Sequence, residues 1–224
     1  MERILQLIAA LGGAYLLGSI PTAYLLVKGM KRVDVRTLGS GNVGATNALR
    51  VAGRWAGLAV LLSDLAKGLL SVLVIAPLVL RPATSTQQLA CGIMAVIGHV
   101  FPVFLKFHGG KGVATTIGVL LGTMPFTAGV FLLVWLIAFL GCRYVSVGSM
   151  AAAIALPITQ LLHRQASSDV LLGAILAIVI LVRHRANVVR LVQGQEHRFR
   201  LRGVDDTEPT AYNSGSCTNL PKDN

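Results

Sequence analysis

Three short stretches hold most of the residues in this chain whose types suit chemistry. Residues 39–50, GSGNVGATNALR, gather glycines, asparagines, a serine, a threonine and an arginine between two long apolar segments. His108, Gly109, Gly110, Lys111 and Gly112 lead into Thr115 and Thr116. The third stretch runs from Arg183 through His184, Asn187 and Arg190 to Gly194 and Glu196. Glycines let a backbone turn tightly and come close to a ligand. A helix opening just after such a turn offers free amides and a positive dipole end to an anion. Asn42 is expected to cap a helix starting near Gly44, with Thr46 and Arg50 one turn apart on the same face. Ser40, Gly41, Asn42, Thr46, Asn47 and Arg50 therefore read as one anion cradle. Gly109, Gly110, Lys111 and Gly112 read as another, suited to phosphate.

Two nucleotide-site patterns are present in outline and fail in context. Gly39, Gly41 and Gly44 match G-x-G-x-x-G, and Asp64 lies about twenty residues on. No strand precedes them, however, and Asp64 falls inside an apolar helix. Lys111 follows glycines as in a P-loop, but Gly112 stands where Ser or Thr belongs and Leu105 where the first glycine belongs.

The elements that must position these loops are membrane helices. The 224 residues are 54% hydrophobic and 13% charged, about half the charge of a soluble domain. The net charge of +11 reads as topology and contact with anionic lipid rather than nucleic-acid binding, which needs a basic face with interleaved aromatics. Apolar segments run over 4–27, 52–80, 89–107, 112–141, 145–162 and 169–183. The first is too long for the apolar part of a cleavable signal and suits a span. The fourth is long for one crossing and is interrupted at residues 122–125 by Gly-Thr-Met-Pro.

Basic residues orient the chain. Lys28, Lys31, Arg32, Arg36, Arg50 and Arg54 mark the first loop as cytoplasmic, so the N-terminus lies outside. Lys106 and Lys111 return to the cytoplasm. Splitting 112–141 in two then brings Arg143 and the basic run 183–202 inside as well, with a re-entrant pair of short halves as the other arrangement. The expectation is an all-α, polytopic integral membrane protein of about seven transmembrane helices, N-out and C-in. It comprises one membrane domain over 1–202 and a polar, disordered cytoplasmic tail over 203–224. All three polar stretches then meet on the cytoplasmic face.

Other groups have plainer readings. Asp64 and Lys67 are ionisable within a span and stand three residues apart, which suits a structural pair ahead of a direct substrate role. Ser146 and Ser149 read as caps or packing groups, with phosphate contact by Ser149 as the alternative. His99 reads as an interior histidine held by a hydrogen bond. Cys91, Cys142 and Cys217 match no metal spacing, and neither a metal nor a cofactor is expected.

In combination, order and spacing, GSGNVGATN with Arg50, SDLAKG at 63–68, GHVFPVFLKFHGGKGVAT at 98–115 and HRANVVRLVQGQE at 184–196 resemble a known family. It is the bacterial integral-membrane acyl-phosphate:glycerol-3-phosphate acyltransferases, the PlsY family. The resemblance extends to about residue 200. Ala186 departs from a position often polar there, and the tail lies outside the pattern. The resemblance implies transfer of a fatty acyl group from acyl-phosphate to the 1-hydroxyl of glycerol 3-phosphate. The products would be lysophosphatidic acid and inorganic phosphate, early in phospholipid biosynthesis at the bacterial inner membrane. It also implies that Ser40 and Arg50 are essential, that the loop around Lys111 binds glycerol 3-phosphate, that His184 and Asn187 serve activity, and that Glu196 supports integrity.

The residue chemistry agrees. Both substrates carry phosphate, and acyl-phosphate is a mixed anhydride with a good leaving group, so positioning and charge stabilisation suffice. Direct attack by the glycerol hydroxyl is expected, with Ser40 a hydrogen-bond donor rather than a nucleophile. The base is either His184 or a phosphate oxygen of the substrate. A transporter of phosphorylated metabolites is the competing class. It would carry its polar groups at the midplane and show repeat halves.

Overall fold

A computed structural model describes residues 1–199, so the expected tail over 203–224 lies outside the described residues. The described chain is helical without a strand. Helix α1 (Glu2–Ser19) breaks at Pro21, which has no N–H to continue the ladder, and α2 (Thr22–Lys31) follows. A short 3₁₀ turn leads to α3 (Ala45–Ala52) and then α4 (Arg54–Leu70), which runs through a π-helical turn into α5 (Ala76–Val79). After α6 (Ser85–Val100) come α7 (Val113–Thr123), α8 (Pro125–Cys142), α9 (Val145–Leu162), α10 (Ser167–Arg183) and α11 (Arg185–Val192).

Five segments are long and apolar enough to cross a bilayer: Glu2–Lys31, Arg54–Val79, Ser85–Leu105, Pro125–Cys142 and Val145–Leu162. Helix α10, prolonged by α11 across a 49° bend, makes a sixth. The interruption expected within 112–141 is real, but its two parts are unequal. Helix α7 has 11 residues, about 16 Å at 1.5 Å per residue, roughly half a hydrocarbon core. The seventh apolar element is therefore a half-length helix backed by its neighbours.

The interior packs Leu89, Leu120, Phe131, Leu156, Leu176 and Ile180 among alanines, valines and buried polar groups, while many other large apolar side chains, among them Ile8, Leu62, Leu133, Ile137 and Ile154, are exposed on the outside as lipid requires. Helix α1 closes on α6 at Gly18 and Gly98, and α4 on α7 at Gly68 and Gly118. A Cβ at any of these would run into the facing backbone. Such small-residue contacts let dispersion hold helices together where lipid gives no hydrophobic drive.

Asp64 and Lys67, both buried, form the structural pair their spacing implied. Lys67 Nζ donates to Asp64 Oδ1 at 2.9 Å and to Thr22 Oγ1 at 3.2 Å, and also to the Ile20 carbonyl at the break between α1 and α2. Thr22 Oγ1 donates to Asp64 Oδ1 at 2.7 Å. His99 Nδ1 lies 3.5 Å from the same oxygen, so His99 is the held interior histidine expected. This cluster ties α1, α2, α4 and α6 together just beneath the loops that carry the polar stretches.

Candidate active site

The first loop is arranged from within. Asn47, buried in α3, turns its amide back on the loop: Nδ2 donates to the carbonyls of Val35 at 3.0 Å and Leu38 at 3.1 Å, and Oδ1 accepts from the Ser40 N–H at 2.9 Å. Gly39 (φ 60°) and Gly41 (φ 69°) flank Ser40 in the left-handed region, which other residues enter only at a cost. Ser40 is thereby held out at the surface of a cavity. Two expectations are corrected here. Asn47 does not face a ligand, because its amide is spent on the loop backbone. Asn42 does not cap the helix, because α3 starts at Ala45 with Gly44 as its N-cap and no side-chain cap; Asn42 lines the cavity instead. Thr46 is half-buried. Arg50, exposed one turn on, feels the charges of Glu196 and Arg190, which sets it beside the third stretch although outside the cavity wall.

The second loop folds back on the end of α6. The Gly109 N–H donates to the Val100 carbonyl at 3.2 Å and the Gly110 N–H to the His99 carbonyl at 3.1 Å. Gly110 lies so close to the His99 ring that a Cβ there would collide with Nε2. Gly112 (φ 83°) turns the chain into α7. Between them Lys111 reaches across to the third stretch, Nζ donating to Asn187 Oδ1 at 2.6 Å.

The third stretch is organised by Glu196. Its Oε1 accepts from Asn187 Nδ2 at 2.6 Å and from Ser146 Oγ at 2.8 Å, and its Oε2 from Arg190 Nε at 2.8 Å. A carboxylate with three donors is strongly held. Burial alone would raise its pKa, but the bonds from Asn187, Arg190 and Ser146 outweigh that and keep it below the usual carboxylate range. His184, 2% exposed, donates from Nδ1 to the Ile180 carbonyl, 2.8 Å away. Since a carbonyl only accepts, Nδ1 carries the proton. For Ser149 the packing reading stands, and the alternative of phosphate contact is corrected. Its hydroxyl donates to the Val145 carbonyl at 2.8 Å and lies 3.3 Å from Trp135 Nε1, away from the cavity.

The three stretches close around one open cavity of about 690 Å³. Ser40, Gly41, Asn42, Gly109, Lys111 and Asn187, all named as candidates from the sequence, line it. Gly110, Gly112 and His184 stand behind the wall rather than in it. Arg36, His108, Arg183, Arg185 and Arg190 line it too. Of these, His108, Arg183, Arg185 and Arg190 stood within the polar stretches without a role of their own, while Arg36 was credited to topology. Phe101 and Val182 give the cavity an apolar side. Five cations against so few acids make a strongly anion-attracting space. Burial pushes Lys111 down to about 8; Glu196 opposes the shift, while Arg190, Arg50 and Arg183 add to it.

A family model described as glycerol-3-phosphate acyltransferase matches residues 8–194. Proteins named glycerol-3-phosphate acyltransferase from Syntrophomonas wolfei and Anaplasma phagocytophilum are similar to this chain. The first is 43% identical over 187 residues, covering 83% of this chain and 93% of the relative. The second is 46% identical over 193 residues, covering 85% and 98%. Two crystal structures of PlsY (YgiH), an integral membrane glycerol 3-phosphate acyltransferase, share the fold. Its glycerol 3-phosphate form superposes with a TM-score of 0.80 at 38% identity over 87% of this chain and 96% of that one. Its lysophosphatidic acid form gives 0.76 at 35% identity over 89% and 96%. The chain belongs to the PlsY family of integral-membrane glycerol-3-phosphate acyltransferases.

Proposed function

We propose that this protein transfers a fatty acyl group from acyl-phosphate to the 1-hydroxyl of glycerol 3-phosphate, at the cytoplasmic face of a bacterial inner membrane. The observation that carries this reading is the shared cavity. It joins Ser40, Lys111 and Asn187 from three loops, sets five cations around a space for two phosphates, and keeps an apolar side at Phe101 and Val182. The relatives' names and the ligands in the two PlsY structures' descriptions, glycerol 3-phosphate and lysophosphatidic acid, support the acceptor and the product. The basic loops at this end of the bundle support the cytoplasmic orientation. One membrane domain over 1–202 holds the whole site in this reading.

The reaction runs in one displacement. The glycerol 1-oxygen attacks the acyl carbonyl carbon, the carbon–oxygen bond to phosphate breaks, and the phosphate departs with the bonding electron pair. The hydroxyl proton passes to a phosphate oxygen, leaving lysophosphatidate and inorganic phosphate. Lys111, with Arg36, Arg185 and Arg190, stabilises charge on the leaving phosphate and holds the acceptor phosphate. Ser40 donates a hydrogen bond to phosphate or carbonyl. Arg50 acts from beside the wall on the same field. His184 is sealed and stands outside the cavity wall, so it supports the bend between α10 and α11, and the substrate serves as its own base.

Protein purified into lipid and given acyl-phosphate with glycerol 3-phosphate is expected to form lysophosphatidate and phosphate in equal amounts. Acyl-CoA as sole donor is expected to give none. Turnover with acyl-CoA would overturn the donor assignment, and uptake of glycerol 3-phosphate into sealed vesicles without turnover would favour a transporter. In the same assay His184→Gln is expected to keep kcat within about tenfold of the parent, because general acid–base catalysis is worth roughly 10²–10⁴ and His184 does not supply it. A folded variant losing more than about a hundredfold would make His184 the base.

A further inference from the structure

Each of the three loops is held from within, yet a working site needs them fixed to one another. Two side-chain contacts join the second loop to the third stretch. One is Lys111 to Asn187, which a bound phosphate competes for. The other is Arg183, at the end of α10. Its Nη2 donates to the Gly109 carbonyl at 2.9 Å and its Nε to the Gly110 carbonyl at 3.1 Å. Its guanidinium lies over the Phe101 ring, 5.6 Å from the centroid. Among the described residues no carboxylate pairs with it. Arg183 is thus a flat fork spanning two consecutive carbonyls, a geometry that an ammonium cannot reproduce.

Those carbonyls belong to the peptide units that lead into Lys111. The unit between Gly109 and Gly110 is gripped on both edges, its carbonyl by Arg183 and its N–H by the His99 carbonyl. The unit between Gly110 and Lys111 is gripped by Arg183 at its carbonyl. A trans peptide is planar, so fixing that carbonyl fixes the direction of the Lys111 N–H on the opposite edge and the place from which the Lys111 side chain departs. Glycine at 110 leaves this unit otherwise soft.

We propose that Arg183 is a positioning residue for the acceptor phosphate: its fork sets the peptide planes of residues 109–111 and thereby aims Lys111. This rests on the reading that the Lys111 loop holds glycerol 3-phosphate. Arg183→Lys keeps the charge and loses the fork. It is expected to raise KM for glycerol 3-phosphate about tenfold, the weight of one lost charge-assisted hydrogen bond. KM for acyl-phosphate is expected to move less than about threefold, since a positioning defect is confined to the loop it aims. In Arg183→Ala, added methylguanidinium is expected to restore part of the activity, and thermal unfolding reports which variants are folded. Unaltered KM in both folded variants would overturn the proposal. So would absence of rescue, equal shifts for both substrates, or failure of both variants to fold, which would make Arg183 purely structural. Failure of the parent enzyme to turn over would instead overturn the functional reading.

Discussion

Replacing Lys111 with methionine is expected to lower kcat/KM for glycerol 3-phosphate about a thousandfold, the upper range for one preorganised charge-stabilising donor. Methionine keeps the length of the side chain and removes its charge and hydrogen bonds. Among the described residues Lys111 is the only lysine in the cavity wall; it sits among arginines of which Arg36, Arg183 and Arg190 already bond within the protein, and it bridges the second loop to Asn187. Its pKa, pushed down to about 8 chiefly by burial, adds a signature in pH. Charged Lys111 is the binding form, so kcat/KM is expected to fall as pH rises through about 8. A bound phosphate dianion favours the charged form, so the kcat profile breaks at higher pH than the kcat/KM profile. Stability moves the other way. The folded value lies below the unfolded value of about 10.4, so charged Lys111 costs stability at every pH below about 8, and the cost fades toward pH 10. At neutral pH the methionine variant is therefore expected to unfold no more easily than the parent while losing its activity. A variant that keeps activity, or that keeps the alkaline fall in kcat/KM, contradicts this role.

Lys67→Met is expected to act on stability instead, by about 3–5 kcal/mol, the cost of stranding a buried charge by removing its partner. Asp64 would keep Thr22 and His99 but lose the cation 2.9 Å away, inside a span where an unpaired carboxylate is expensive. The Ile20 carbonyl at the break in the first span would lose a donor as well. Replacing both members, Asp64→Leu with Lys67→Met, removes the stranded charge and is expected to recover more than half of the loss. Unfolding in lipid or mild detergent measures both. A double variant as unstable as the single one would mean that the pair is valued for its contacts to Ile20 and Thr22 rather than for its charge.

The two variants also mark what the sequence could and could not convey. Asp64 and Lys67 were legible because three-residue spacing on a helix brings side chains together whatever the rest of the fold does. The three polar stretches were legible because topology accounts for lysine and arginine but not for such a concentration of glycine and asparagine beside them. Partner choice was not legible. Asn47 and Asn187 are the same amide, yet one is spent on loop carbonyls and the other lines the cavity between Lys111 and Glu196. Ser146 and Ser149 stand one turn apart on α9, and only the first meets Glu196. That meeting depends on how the segment after α11 returns to the start of α9, which no local pattern encodes. Helix α7 was hidden for a similar reason. Hydropathy reports that a stretch is apolar but not that its helix stops halfway, and only the Gly-Thr-Met-Pro interruption pointed to the break. Arg36 explained topology so readily that its place in the cavity went unread, and Arg183, Arg185 and Arg190, though inside the third stretch, were given no role of their own.

The central claim is that fixed cations and a substrate-borne base carry the acyl group across in one step, with no acyl-enzyme at Ser40. Its most direct test is rapid mixing of the purified enzyme in lipid with excess acyl-phosphate and no glycerol 3-phosphate, following phosphate release and the mass of the protein. Direct transfer predicts no burst of phosphate and an unmodified chain until glycerol 3-phosphate is added. One phosphate released per enzyme, with an acyl adduct on Ser40, would contradict it.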